Sequence, residues 1–132
     1  MKRIWIVVVF ATLVLLGGSM GVAENIRPFY QHTAYANTTL TLKGKVATCV
    51  GTFKAKDANS IIDLTVFLRK ESGGRWINVK SWSTKGVKNA MLTRSVTLSS
   101  SGKYRVVARG TVKDPAGKVL EKISVNSSIV TL

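Results

Sequence analysis

Short runs of alternating apolar and polar residues follow one another through most of the chain, with turn residues between them. Alternation with a period of two is typical of half-buried β-strands, and no window of the sequence has the period of an amphipathic helix. The pattern predicts about seven strands, over 38–42, 45–54, 63–70, 76–82, 90–98, 104–112 and from 119 onward. We therefore expect an all-β fold, a single antiparallel β-sandwich.

The turns between these strands carry the residues that chain reversal requires. Gly73 and Gly74 tolerate positive φ and predict a hairpin between the third and fourth strands. The stretch 84–89 is interpreted as a polar connection, and Ile129 can continue the last strand. Arg94 shares the phase of the apolar residues in the fifth strand, which indicates either a bulge or a position at a sheet edge.

The chain start does not belong to the predicted sandwich. Lys2 and Arg3 precede an apolar run, and Gly21-Val22-Ala23 has the small-x-small pattern that signal peptidase accepts. We predict a signal peptide over 1–23, an N-terminal arm over 24–37 and the β-sandwich domain over 38–132. The alternative is an uncleaved membrane anchor, because the uncharged stretch 4–23 is long enough to span a bilayer of about 30 Å. The expected location is secreted, with association to the cell wall as a further possibility.

Two resemblances extend this interpretation. In "SGKYRV", Tyr104 stands two residues before the core position of Val106, as the corner tyrosine does in immunoglobulin-like sandwiches. The antibody pattern is incomplete, because Cys49 is the only cysteine. The segments "GKVATCVGTF", "LTVFLRKESGGRWINVKSW" and "SGKYRVVARGTVKDPAGKVLE" together resemble a family of small, uncharacterised exported proteins of Gram-positive bacteria. That resemblance implies an immunoglobulin-like sandwich and no catalytic residue.

Charge is the most informative feature for function. The 132 residues carry a net charge of +14, which predicts attraction to polyanions. In the sixth strand four cations occupy alternate positions, and Arg69 lies on the outer face of the third strand, a neighbour of the sixth in immunoglobulin-like sheets. The candidate polyanion-binding residues are Arg69, Lys103, Arg105, Arg109 and Lys113. The alternative is that these cations form a solvated face that keeps the protein soluble.

The predicted partners follow from charge and location. An exported protein meets anionic wall polymer first and a membrane surface second, and nucleic acid is the third choice because no nucleic-acid motif is present. Trp76 and Trp82 in the hairpin are candidate stacking residues for sugar rings, with the covering of a core edge as the alternative. We expect a non-enzymatic domain that binds anionic or carbohydrate envelope components. The competing hypothesis is an interaction or toxin-like protein that acts on proteins or membranes of other cells, which exposure of Phe29, Tyr30 and Tyr35 in the arm would favour.

The sequence offers little for catalysis. His32 is the only histidine and lies in the arm, while Cys49 lies in a patterned strand, where we expect a buried and inert thiol. The acidic residues fall at turns, strand ends and on the last strand, where structural roles are expected. One His, one Cys and no acidic cluster with the spacing of a calcium loop predict neither a metal site nor a cofactor.

Overall fold

The computed structural model describes residues 30–132, and the predicted signal peptide over 1–23 lies outside them. The described residues form strands in chain order, separated by short turns. These strands are β1 (Thr33–Lys43), β2 (Val46–Ala55), β3 (Ile61–Ser72), β4 (Arg75–Val87), β5 (Asn89–Thr97), β6 (Lys103–Lys113), β7 (Val119–Asn126) and β8 (Val130–Thr131).

The strands build two sheets in which every pairing is antiparallel. The smaller sheet has the order β1-β2-β5, and the larger has the order β4-β3-β6-β7, with the short β8 paired to the start of β6. The prediction of an all-β protein with two antiparallel sheets is confirmed. No helix in the described part of the chain is long and apolar enough to cross a membrane.

The core lies between the two sheets and is built from alternate residues of the central strands. In β3 the side chains at 62, 64, 66 and 68 are fully buried, and in β6 residues 104, 106, 108, 110 and 112 are buried. Gly110 allows a close approach of the two sheets, because a Cβ atom there would overlap the ring of Phe53 from the smaller sheet. Strict alternation therefore leaves the odd-numbered residues of β3 and β6 on the face that points away from the core, called the outer face below.

Three strand boundaries differ from the prediction. β1 begins at Thr33, so residues 33–37 of the predicted arm belong to a strand. The register between β1 and β2 shifts between Thr33 and Tyr35, and this shift disrupts the alternation of apolar and polar residues there. β4 continues through the predicted polar connection to Val87 because its backbone pairs with β3 as far as Ile61. Ile129 does not continue β7, since the chain leaves that strand at Asn126 and then forms β8.

Other local predictions agree with the structure. Gly73 and Gly74 have φ values of 60° and 81° in the β3–β4 hairpin. The β2–β5 pairing contains no register shift and β5 is an edge strand, so Arg94 occupies an edge rather than a bulge. The hydroxyl of Tyr104 donates a hydrogen bond of 2.6 Å to the carbonyl oxygen of Ser100, which is the geometry expected of a corner tyrosine.

The beginning of β1 is attached to the larger sheet by one carboxylate. Glu121 in β7 accepts hydrogen bonds from the backbone N–H groups of Gln31 and His32 and from the hydroxyl of Thr33, at 3.0, 3.1 and 2.8 Å. Glu121 thus has the structural role that the sequence predicts for its acidic residues, and it fixes where the chain enters the domain.

Candidate anion-binding face

Strand pairing assembles the predicted cations of the third and sixth strands on one surface. β3 and β6 are neighbours, as predicted, and in their register Arg69 lies opposite Arg105 while Thr65 lies opposite Arg109. All four residues have odd numbers and therefore share the outer face. Arg69, Arg105 and Arg109 are called the arginine cluster from here on.

Aromatic rings support each guanidinium of the arginine cluster. The Phe67 ring has the Arg69 guanidinium 5.3 Å from its centroid and that of Arg109 at 5.1 Å. The Arg105 guanidinium stands over the Trp76 ring at 4.3 Å. Cation–π contacts of this kind stabilise a guanidinium while leaving its N–H edge available for other partners.

Two more residues complete the floor of this surface. Val107 lies between Arg105 and Arg109 along β6 and is only 3% exposed although it faces outward, opposite Phe67. Asn78 of β4 accepts a hydrogen bond of 2.8 Å from Nε of Arg69. The long cationic side chains therefore lie on an apolar base and are held in place, unlike freely solvated surface charges.

The positive charge of the arginine cluster is not compensated by acidic residues. Within the described part of the chain, no carboxylate oxygen lies within 4.0 Å of the three guanidiniums. Burial and the charge of Arg69 lower the pKa of Arg105 from its usual value, and burial and the charge of Arg109 lower that of Arg69. Like charges placed opposite each other across strands are destabilising, so this arrangement costs stability in the free protein.

Arg105 also carries an unsatisfied donor. Its Nε is the one buried side-chain nitrogen or oxygen among the described residues that lacks a hydrogen-bond partner. A buried donor without a partner costs about 1–3 kcal/mol. The site thus combines mutual repulsion with an unmade hydrogen bond, and an anion would relieve the repulsion.

The two predicted lysines differ from the arginine cluster. Lys113 forms an ion pair with Asp63 at 2.6 Å, and the same carboxylate lies 3.6 Å from Nζ of Lys85. Asp63 therefore compensates one of the two positive charges at this end of the outer face. Lys103 is exposed at the opposite end, where β6 pairs with Thr131 of β8. The strongest uncompensated charge is consequently at the centre of the face rather than along the whole row.

The two candidate tryptophans occupy different environments. Trp76 lies on the outer face, where Arg105 covers one side of its ring. Trp82 pairs with Val66, whose side chain is fully buried, so the half-buried Trp82 faces the core side of the sheet. Trp82 therefore fits its alternative role of covering a core edge, and Trp76 supports Arg105.

A shallow depression of about 370 Å³ extends the face toward β7. Its polar lining combines two cations and two hydroxyl groups, from Arg109, Lys122, Thr111 and Ser124. Arg109 pairs with Ser124 and Thr111 with Lys122, so all four project from one side of the β6–β7 ladder. Sequence reasoning missed Lys122 and Ser124, because only the apolar positions of the last strand were assigned a face.

The two residues considered for catalysis, Cys49 and His32, do not belong to the larger sheet. The Cys49 thiol is completely buried, and burial raises its pKa to about 11. His32 lies just before β1, where its backbone N–H donates to Glu121. No group of three or more His, Cys, Asp or Glu residues that could hold a metal ion occurs among the residues that the structure describes.

The aromatic residues proposed for the competing hypothesis are divided. Phe29 lies outside the described residues, Tyr30 is half-buried, and Tyr35 is 44% exposed within β1.

Neither protein-family models nor curated proteins give a match to this chain. The functional assignment consequently depends on the geometry of the outer face.

Proposed function

We propose that this protein is a non-enzymatic exported domain that binds an anionic polymer of the cell envelope through the outer face of its larger sheet. The observation that carries the proposal is the arginine cluster: three supported guanidiniums without a carboxylate partner among the described residues, one of which, that of Arg105, has a buried Nε without a hydrogen-bond partner. A protein domain that only needed solubility could place its cations apart and fully solvated, without this cost.

Anionic polymer fits this surface better than neutral carbohydrate does. A sugar ring would stack on an exposed indole, but the Arg105 guanidinium already lies over Trp76. A polymer with repeated negative charges could instead contact the arginine cluster, Lys103 at one end, and Lys122 beside the depression. Binding through several such contacts weakens steeply with salt, because each contact releases a counterion from the polymer.

The finer fold assignment is part of the same proposal. We infer an immunoglobulin-like connectivity, which the sheet orders β1-β2-β5 and β4-β3-β6-β7 and the Tyr104 corner bond support. In that scheme β3, β6 and β7 correspond to strands C, F and G, and β4 joins their sheet as strand C′ does in variable-type domains. Export and a Gram-positive source are supported by the pattern of residues 1–23 and by the family resemblance.

Cosedimentation with Gram-positive cell walls tests the function. We expect the purified protein to sediment with intact walls at low salt, to be released by added salt, and to lose binding when the anionic polymers are stripped from the walls. Vesicles of anionic lipid run in parallel measure the contribution of a membrane surface. An absence of binding at low salt to both wall preparations would refute the proposal.

Two triple variants then test the surface. The first neutralises the arginine cluster with Arg69→Gln, Arg105→Gln and Arg109→Gln. The matched control carries Lys43→Gln, Lys45→Gln and Lys54→Gln, which are exposed on the smaller sheet and its β1–β2 turn. Both variants lose the same charge, so a difference in wall binding between them reports the position of the charge rather than its amount.

A further inference from the structure

The arrangement of donors around the arginine cluster points to a ligand group of defined chemistry. We propose that Arg69, Arg105 and Arg109 form a discrete oxyanion site that holds one phosphate group of the polymer through guanidinium hydrogen bonds. This inference deepens the proposed function and depends on it. It states that binding requires the shape of the guanidinium group at these three positions, and not only positive charge on this face.

The side chains of the arginine cluster are positioned before a ligand arrives. Trp76 supports Arg105, Phe67 contacts both Arg69 and Arg109, and Asn78 accepts a hydrogen bond from Nε of Arg69. A long side chain that is already ordered loses less conformational entropy when it binds. Charges that act only by diffuse attraction require no such support.

The arginine cluster also offers guanidinium N–H donors to a ligand. The Nε of Arg69 is occupied by Asn78, which leaves the terminal N–H groups of that guanidinium for a ligand. Arg109 lines a depression that Thr111 and Ser124, which carry hydroxyl groups, also line. Guanidinium groups present paired N–H donors that match the oxygen spacing of phosphate and form short, charge-assisted bonds. Strand register and the shared contact with Phe67 place these donors on the same part of the outer face, and a tetrahedral oxyanion offers several acceptor oxygens to them.

The positive charge of the arginine cluster also favours an anionic group at this position. Like charges repel, and Arg69 lies opposite Arg105 in the strand register; burial, followed by the charge of a neighbouring arginine, lowers the pKa of both. A phosphate group placed among them reduces this repulsion and adds hydrogen bonds. A lysine in each position would keep the charge but would present a compact ammonium without the paired donors.

An NMR titration with inorganic phosphate tests the site on the unmodified protein. The side-chain Nε–H signals of the arginines are the readout, and Arg75 and Arg94, which are exposed elsewhere, serve as internal controls. We expect saturable shifts at Arg69, Arg105 and Arg109, and much smaller shifts with acetate at equal ionic strength. Equal shifts at Arg94 and Arg75, or an equal response to acetate, would overturn the proposal.

A charge-conserving variant provides the second test. With Arg69→Lys, Arg105→Lys and Arg109→Lys together, we expect the affinity for inorganic phosphate to fall by about tenfold or more, the equivalent of one charge-assisted hydrogen bond. Wild-type phosphate affinity in this variant would overturn the discrete site. If this variant also binds walls as the wild type does, while the Gln variant does not, the proposed function stands and the discrete site is refuted. If the Gln variant binds walls normally too, the proposed function itself fails.

Discussion

The close approach of the two sheets at Gly110 makes a specific prediction about stability. In Gly110→Ala the new methyl group would overlap Cδ2 and Cε2 of the Phe53 ring and stand 3.0 Å from Cζ, whereas carbon atoms pack at about 3.5–4.0 Å. The Phe53 side chain is completely buried, so the ring can yield only by displacing its neighbours. Overpacking of this kind typically costs about 1–3 kcal/mol, and the extent of the overlap predicts a cost near the upper end.

Urea denaturation of the wild type and Gly110→Ala measures this cost directly. A loss of about 3 kcal/mol in a domain of this size also lowers Tm by roughly 10–20 °C. The matched test is a double-mutant cycle with Phe53→Leu, which removes ring atoms from the overlap. We expect Gly110→Ala to cost at least about 1 kcal/mol less in the Phe53→Leu background than in the wild type. An Ala variant as stable as the wild type, or a cycle without coupling, would refute the packing described here.

Three further predictions concern single residues. Burial raises the Cys49 pKa to about 11, whereas an unfolded thiol ionises near pH 8.5, so the free energy of unfolding should fall as pH rises from about 8.5 to about 11. Denaturation curves of Cys49→Ala should lack this pH dependence. The hydrogen bond from Lys113 lowers the Asp63 pKa, so the ion pair should stabilise the fold above about pH 4 and lose this effect as pH falls further. Asp63→Asn should therefore lower the free energy of unfolding by about 0.2–1 kcal/mol at pH 7 and have little effect in acid. Lys88 has a φ of 65° between β4 and β5, so Lys88→Gly should raise the free energy of unfolding by about 1 kcal/mol, and a lower value would contradict the assigned backbone.

The central strands could be predicted from the sequence because one face of each is fully buried. Buried and more exposed positions alternate along β2 and along β3 as far as Leu68, and in β6 only Val107 interrupts the alternation, so the apolar pattern of the sequence indicates these strands. The edge strands were predicted less completely. β1 and β4 have long stretches in which both faces are largely exposed, so backbone pairing defines their ends and the residue pattern does not.

The candidate site was predictable only to the level of a face. The alternation of side chains along β6 places its cations on one face of the sheet. The predicted pairing of the third and sixth strands places Arg69 on the same face, beside them. The register between β3 and β6 could not be read from the pattern, and it is the register that places Arg69 opposite Arg105 and brings Asp63 near Lys113. The contact between Arg105 and Trp76, two strands away, likewise requires the β4 register with its shift after Leu68.

The salt dependence of binding to isolated anionic wall polymer tests the central claim most directly. Each phosphate contact on a flexible polyanion contributes about 0.7 to the slope of log affinity against log salt. Because the arginine cluster is proposed to hold one phosphate group, we predict that neutralising it with Gln reduces the magnitude of the wild-type slope by about 0.7, and that the Lys43, Lys45 and Lys54 control leaves it nearly unchanged. Equal slopes for the two variants would contradict the claim that the outer face of the larger sheet is the binding surface.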